Sequence, residues 1–339
     1  MLDVASTIRG KCLPVPMKSK EGRDVLVVLI KYTFLVSPAG AVELDSKGGE
    51  PPTLVDEYND GNAGGGSIRK PSQLYDAKPG TDVILVGHAH PPLRGRTTHV
   101  DVRLRVGPVA KEIRAHGLRV WQAGALGGLS AGPARPISEP IPLVYELAWG
   151  GMDVSDPERP VAEPRNLVGR GVARDWKSLL GQPAAQLEDP ANPIGSRSVA
   201  PACFGAIHRH WQPRVRFAGT YDERWMETRL PLPPSDFDER YHVSVPPDQW
   251  SAAPLRGDEP FEITGATIGG RWAFQLPRLA LGVSSVTMGR RAEHRSQLDM
   301  ILIDADVGRV ELSFRAVVPL PRKFEMLDKL VVVEKTRVP

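Results

Sequence analysis

The sequence predicts a mainly β protein, in which antiparallel, sandwich- or barrel-like strand-rich regions are joined by a Pro- and Trp-rich segment with short helices. Three observations carry that prediction. Glycine and proline number 33 each in 339 residues, about a fifth of the chain, which favours many short elements over long helices. Apolar residues recur at period two or in short uninterrupted runs rich in Val, Ile and aromatics. Gly, Pro and Asp bound most of those runs, and these are the residues that turns require.

Taken in order, "RDVLVVLIKYTFLV" (23–36) is a strand apolar on both faces, and "DVILVGHA" (82–89) is a shorter one. "THVDVRLRV" (98–106) alternates strictly and predicts a strand with one face in the core. "GLRVWQA" (117–123), "IPLVYELAW" (141–149), "RVRFAG" (214–219), "FEITGAT" (261–267) and "RWAFQLP" (271–277) read as further strands. "DMILIDA" (299–305) and "RVELSFRAVVPL" (309–320) predict a hairpin turning through "DADVGR" (304–309). Val310, Leu312 and Phe314 then share one face of it, and Glu311, Ser313 and Arg315 the other. "NDGNAGGGS" (59–67) reads as a loop or disordered tip, because glycine loses most backbone entropy on ordering.

Three zones follow: a strand-rich region at 1–150, a Pro-, Trp- and charge-rich segment at 151–257, and a second strand-rich region at 258–339 that can form one domain with the first. Charge is nearly balanced, 43 Lys and Arg against 40 Asp and Glu, so neither nucleic acid nor an anionic membrane is an expected partner. Cys12 and Cys203 are too few for a disulfide framework, which fits a reducing compartment. With no signal-like apolar stretch at the start and no run of about 18 apolar residues, a cytoplasmic location is expected.

The segment "AGTYDERWMETRLPLPPSDFDERYH" (218–242) is the least ordinary in the chain. Thr220 and Glu223 have capping-box spacing, so a helix is expected to start there, run through "YDERWMETR" and stop near Leu230, ahead of Pro231. Tyr221 and Trp225 fall on one face, Arg229 is placed to stack on Trp225, and Ser235 with Asp238 offers a second turn. A structural staple is favoured over a catalytic centre, because Trp, Tyr and Pro act chiefly through burial and rigidity. Tyr221, Trp225, Asp236 and Phe237 are expected to form a rigid platform, with Arg224 or Arg229 available to a partner.

This segment closely resembles the signature of the family called domain of unknown function 2169. "KPGTDVILVGHAHPP" (78–92), "LVYELAWGG" (143–151), "NLVGRG" (166–171), "QLEDP" (186–190), "FGAIHRHWQPR" (204–214), "PPDQ" (246–249) and "LRGDE" (255–259) follow in the family's order, with Leu167 where proline is more usual and Trp149 where phenylalanine is. The resemblance implies a non-catalytic adaptor or chaperone of bacterial type VI secretion. Such a protein holds a toxic effector, often with a spike protein of the PAAR or VgrG type, and assists its loading onto the spike without a cofactor. Client capture would use either strand addition at a sheet edge or an apolar groove.

Two other readings stay open. A metal-dependent hydrolase would start from His88 and His90, whose i, i+2 spacing on a strand points both rings one way. Asp82, His99, Asp101, His208, His210 or His242 would have to complete the set, and their spacing does not bring them together. A structural self-assembling scaffold is the second alternative. "GNAGGGS" lacks the Lys-Ser or Lys-Thr ending of a phosphate loop, and Cys203 has no nucleophile motif around it. Asp236 and Asp238 read as turn caps that balance arginine, not as an acid–base pair.

Overall fold

The structure, a computed structural model, describes residues 3–59, 66–125, 127–196, 198–320 and 326–335. Most of "NDGNAGGGS" lies outside the described residues. The architecture is strand-rich and mostly antiparallel, with one α-helix, Glu223–Thr228, among the described residues. Among the described residues its sheets remain open, so the sandwich-like form of the prediction is realised and the barrel is not.

Seven strands make the central sheet. Trp250–Ser251, Thr81–Val86, Gln297–Asp304, Arg309–Pro319, Asp24–Val36 and Lys11–Lys18 lie side by side in that order, and Val42–Leu44 shares the outer edge of Asp24–Val36. The predicted hairpin forms, pairing Gln297–Asp304 with Arg309–Pro319 across an antiparallel ladder. It is inserted between the two early strands: Arg309–Pro319 pairs antiparallel with Asp24–Val36, and Gln297–Asp304 pairs parallel with Thr81–Val86. The edge strand Lys11–Lys18 carries Pro14 and Pro16, which withhold amide donors where another strand would add.

Period two sorts the two faces of this sheet. On one face Leu26, Val28, Ile30, Tyr32, Val83, Leu85, Val310 and Leu312 enter the main hydrophobic cluster. A five-stranded sheet meets them there through Val102, Leu104, Ile113, Phe261 and Ile263. A four-stranded sheet, which includes Leu281–Thr287 and Leu327–Glu334, adds Val283, Leu330 and Val332 to the same cluster. The opposite face is also covered, and it is partly polar: Lys31, Thr33, Asp82, Asp299, Glu311, Ser313 and Arg315 are all buried. The alternate face of the hairpin is therefore a second interior.

Three expectations fail locally. "RVRFAG" is a 3-10 turn, Arg214–Phe217, entered from Pro213 in helical backbone geometry. Its alternation is misleading because Arg214 is buried, held by carbonyls, while Val215 faces solvent. "IPLVYELAW" breaks into Ile141–Pro142, a turn at Tyr145–Leu147 and Trp149–Gly150. "GLRVWQA" shortens to Trp121–Ala123. Among the described residues no helix is long and apolar enough to cross a membrane.

Candidate functional site

The segment 218–242 is held down by side chain-to-backbone hydrogen bonds. Asp222, rather than Thr220, caps the helix, its carboxylate accepting from Trp225 N at 2.8 Å. Thr220 instead donates to Asp236 from both N (3.0 Å) and Oγ1 (2.8 Å), which ties the two halves of the segment together. The helix stops at Thr228 as Pro231 requires, and Trp225 Nε1 donates to Leu232 O at 2.9 Å while its ring meets Tyr221 edge-on at 4.7 Å. Arg229 is not free to stack on Trp225. Its guanidinium donates to Pro233 O (3.0 Å) and to Lys20 O (2.7 Å), fastening the segment to the turn between Lys11–Lys18 and Asp24–Val36.

The second turn, Glu239–His242, is capped by Asp238 and not by Ser235. Asp238 accepts from Arg240 N at 2.8 Å and pairs with the Arg240 guanidinium at 2.6 Å, so Asp236 and Asp238 have separate structural duties. Phe237 packs on Tyr241 and His242, with centroids at 5.6 and 5.4 Å. Of the residues expected in the platform, Trp225, Asp236 and Phe237 are tied into the segment by these contacts, whereas Tyr221, though its ring meets Trp225, is turned outward with Arg224, Met226 and Leu230, and it is Arg229 that is tied down: Tyr221, Met226 and Leu230 are 57, 55 and 62% exposed.

Beneath it lies the buried polar layer. Arg315 Nε donates to Asp299 at 2.7 Å and its other nitrogens to Tyr75 O (2.6 Å) and Gln73 O (2.9 Å), with the guanidinium 3.8 Å above the Tyr75 ring. Lys78 and Asp82 pair at 2.9 Å with neither side chain reaching solvent, and Asp82 also accepts from Ser244 N and Oγ. Lys31 and Glu311 pair at 2.6 Å nearby. These contacts place Tyr75, Lys78, Asp82, Asp299 and Arg315 among the residues that seat the segment, although sequence reasoning singled out none of them for that role.

His242 stacks on Tyr75 at 4.9 Å, and burial, reinforced by Arg214, Arg315 and Lys78, pushes its pKa from 6.5 down to about 3. The unfolded chain takes up this proton near pH 6.5 and the fold refuses it until about pH 3, so acidification across that window removes stability. His242→Phe, which keeps a ring on Tyr75, is expected to flatten the fall in the urea midpoint between pH 6.5 and pH 3. An unchanged slope would disprove the assignment.

Next to the second turn is a cleft of 170 Å³, lined by Arg214, Arg216, Phe217, Arg240, Val245 and Trp250 among others. The guanidinium carbons of Arg216 and Arg240 sit 4.6 and 4.3 Å from the centroid of the Phe217 ring.

The histidines do not assemble into one centre. His88 Nδ1 lies 2.9 Å from Asp306 and His90 Nε2 3.9 Å from the same carboxylate. His99 stands beside His116, His208 lies between His210 and Trp211, and Asp82 is committed to Lys78 and Ser244. Asp101 holds Arg114 at 2.7 Å. Among the described residues no group of three or more His, Cys, Asp or Glu is arranged to hold a metal. Cys203 is fully buried, donates to Leu143 O at 3.3 Å, and has its thiol pKa pushed up by burial to about 12, which keeps it protonated.

The other recurring motifs interlock in the same manner. Asn166 donates to Tyr145 O and Trp149 O, both at 2.9 Å, joining "NLVGRG" to "LVYELAWGG". Gln249 of "PPDQ" donates to Val83 O and Phe204 O. In "QLEDP", burial works to raise the Glu188 pKa, but His116 and Arg119 outweigh it and hold the carboxyl at about 2. A family model described as "Uncharacterized protein conserved in bacteria (DUF2169)" matches residues 21–315. No curated protein and no solved structure matches the chain.

Proposed function

Because the chain belongs to the bacterial DUF2169 family, we propose that it is a non-catalytic adaptor that holds a type VI secretion effector, alone or with a PAAR- or VgrG-type spike protein, and assists its loading onto the spike. One observation carries the reading: the segment that resembles the family signature is bolted to the sheet from below, yet presents Tyr221, Met226 and Leu230 to solvent beside Arg224. Large exposed apolar side chains on a rigid support are what a docking surface needs, since little entropy is lost when a partner covers them. Staple and contact thus occupy different residues of one segment.

The test is purification of the tagged full chain from its native host, followed by mass spectrometry. A spike or effector protein at near-equal amount is the expected result, and its absence would overturn the reading. Within that complex, Met226→Asp with Leu230→Asp should weaken client retention by about tenfold or more while leaving the melting temperature nearly unchanged. Trp225→Ala should lower stability by about 1–2 kcal/mol as well, because it removes both a ring contact and a bond to Leu232 O. Full retention by the Met226/Leu230 double variant would remove this surface from the proposal.

A further inference from the structure

The 170 Å³ cleft beside the second turn has a shape and charge of its own. A cavity of about 150 Å³ accommodates a benzene ring, whereas sites for drug-sized ligands or nucleotides start at about 300 Å³. The space therefore suits one aromatic side chain. Val243, Val245, Pro247 and Trp250 give it apolar walls.

Among the described residues its charged lining is entirely cationic: Arg214, Arg216 and Arg240, with no Asp or Glu. Arg240 is already matched by Asp238 at 2.6 Å. Arg214 is only 5% exposed, and its bonds end on the carbonyls of Tyr241 and Ile207. Among the described residues neither Arg214 nor Arg216 has a carboxylate within ion-pair distance. Asp56 and Asp82 act on Arg214 only from beyond ion-pair distance and are opposed by Arg209, so a cation whose hydrogen bonds end on carbonyls leaves a positive field that a carboxylate arriving from outside would neutralise. Arg216 is exposed and positioned to receive it, with its guanidinium carbon 4.6 Å from the centroid of the Phe217 ring.

We infer that this cleft is an anchor site for a partner peptide that presents an aromatic ring with a carboxylate on the adjacent residue. The ring enters between Val245 and Trp250, and the carboxylate meets Arg216 with the field of Arg214 behind it. The identity of the occupant as a client segment rests on the adaptor reading, while the chemistry of the cleft does not.

The experiment titrates acetyl-Asp-Phe-amide and acetyl-Asn-Phe-amide into the full chain, using ligand-observed NMR and isothermal calorimetry. The acidic peptide should bind saturably at millimolar concentration, the Asn analogue about tenfold more weakly, and Arg216→Glu should abolish the difference while the thermal midpoint stays unchanged. Arg216→Lys should retain part of the preference, since the charge remains and the planar stack is lost. Equal affinity for the two peptides, no saturation, or binding indifferent to Arg216→Glu would overturn the inference. The adaptor reading fails separately, through a host purification that returns no spike or effector protein. If a client is recovered equally by wild type and by Arg216→Glu, the identification of the occupant as a client segment fails alone.

Discussion

Arg315→Met is expected to destabilise the fold by about 3–5 kcal/mol, as removal of one partner of a buried ion pair does elsewhere. The expectation follows from where the guanidinium ends: on Asp299, on two backbone carbonyls and flat against Tyr75, at 5% exposure. Methionine fills part of the volume but leaves the Asp299 carboxylate buried without its cation. A double variant with Asp299→Leu should recover only part of the loss, because Tyr75 O loses its donor and Gln73 O keeps only the Tyr75 amide. Chemical denaturation followed by tryptophan fluorescence measures both. A loss below about 1 kcal/mol for the single variant would mean that the polar layer is dispensable.

Gly80→Ala is expected to be of similar severity, about 2–5 kcal/mol, from two sources that add. Gly80 has φ +71°, which costs an L-residue about 1–2 kcal/mol. A Cβ there would lie 2.1 Å from Ser251 O and 2.6 Å from Trp250 Nε1, so the edge strand Trp250–Ser251 must shift, at about 1–3 kcal/mol. Gly181→Ala is the control. Its φ is +80°, but a Cβ would meet nothing within 4 Å, so its loss should be confined to the backbone component. Equal melting temperatures for the two variants would refute the clash argument.

The sequence makes the strands legible wherever alternation is tied to a single buried face, as in His99–Val106 with Val100, Val102, Leu104 and Val106 inward. It fails where that tie is loosened. Lys11–Lys18 was hidden by Pro14 and Pro16, and Arg290–His294 by being mostly polar, since a solvated edge strand needs no apolar period. Glu311, Ser313 and Arg315 read as one face of a hairpin, but not as a face roofed by other loops. The signal that was present is Lys31, a lone cation inside a run apolar on both sides, which has to find an anion in the interior.

Of the candidate site, the short helix, its end at Pro231 and the proximity of Tyr221 to Trp225 were legible, because each depends on neighbours within four residues. The cap moved from Thr220 to Asp222 because Asp236 took the threonine hydroxyl, a contact 16 positions away. Arg229 reads as a free contact, yet it is spent on Lys20 O, 209 positions distant, which no local spacing reveals. The cleft was illegible for the same reason, its walls being drawn from three turns, the stretch between two of them and the start of an edge strand.

The order of the central sheet also sets a timetable for biosynthesis. Asp24–Val36 and Thr81–Val86 are not neighbours; the hairpin that joins them spans Gln297–Pro319. At a translation rate of about 5–20 residues per second, the early strands leave the ribosome on the order of ten to forty seconds before the hairpin that separates them. Throughout that interval Val27, Leu29, Val83 and Leu85, each no more than 2% exposed in the finished fold, have no completed sheet to enter. A nascent chain of this protein waits in an unfinished, adhesive state until the hairpin Gln297–Pro319 is made.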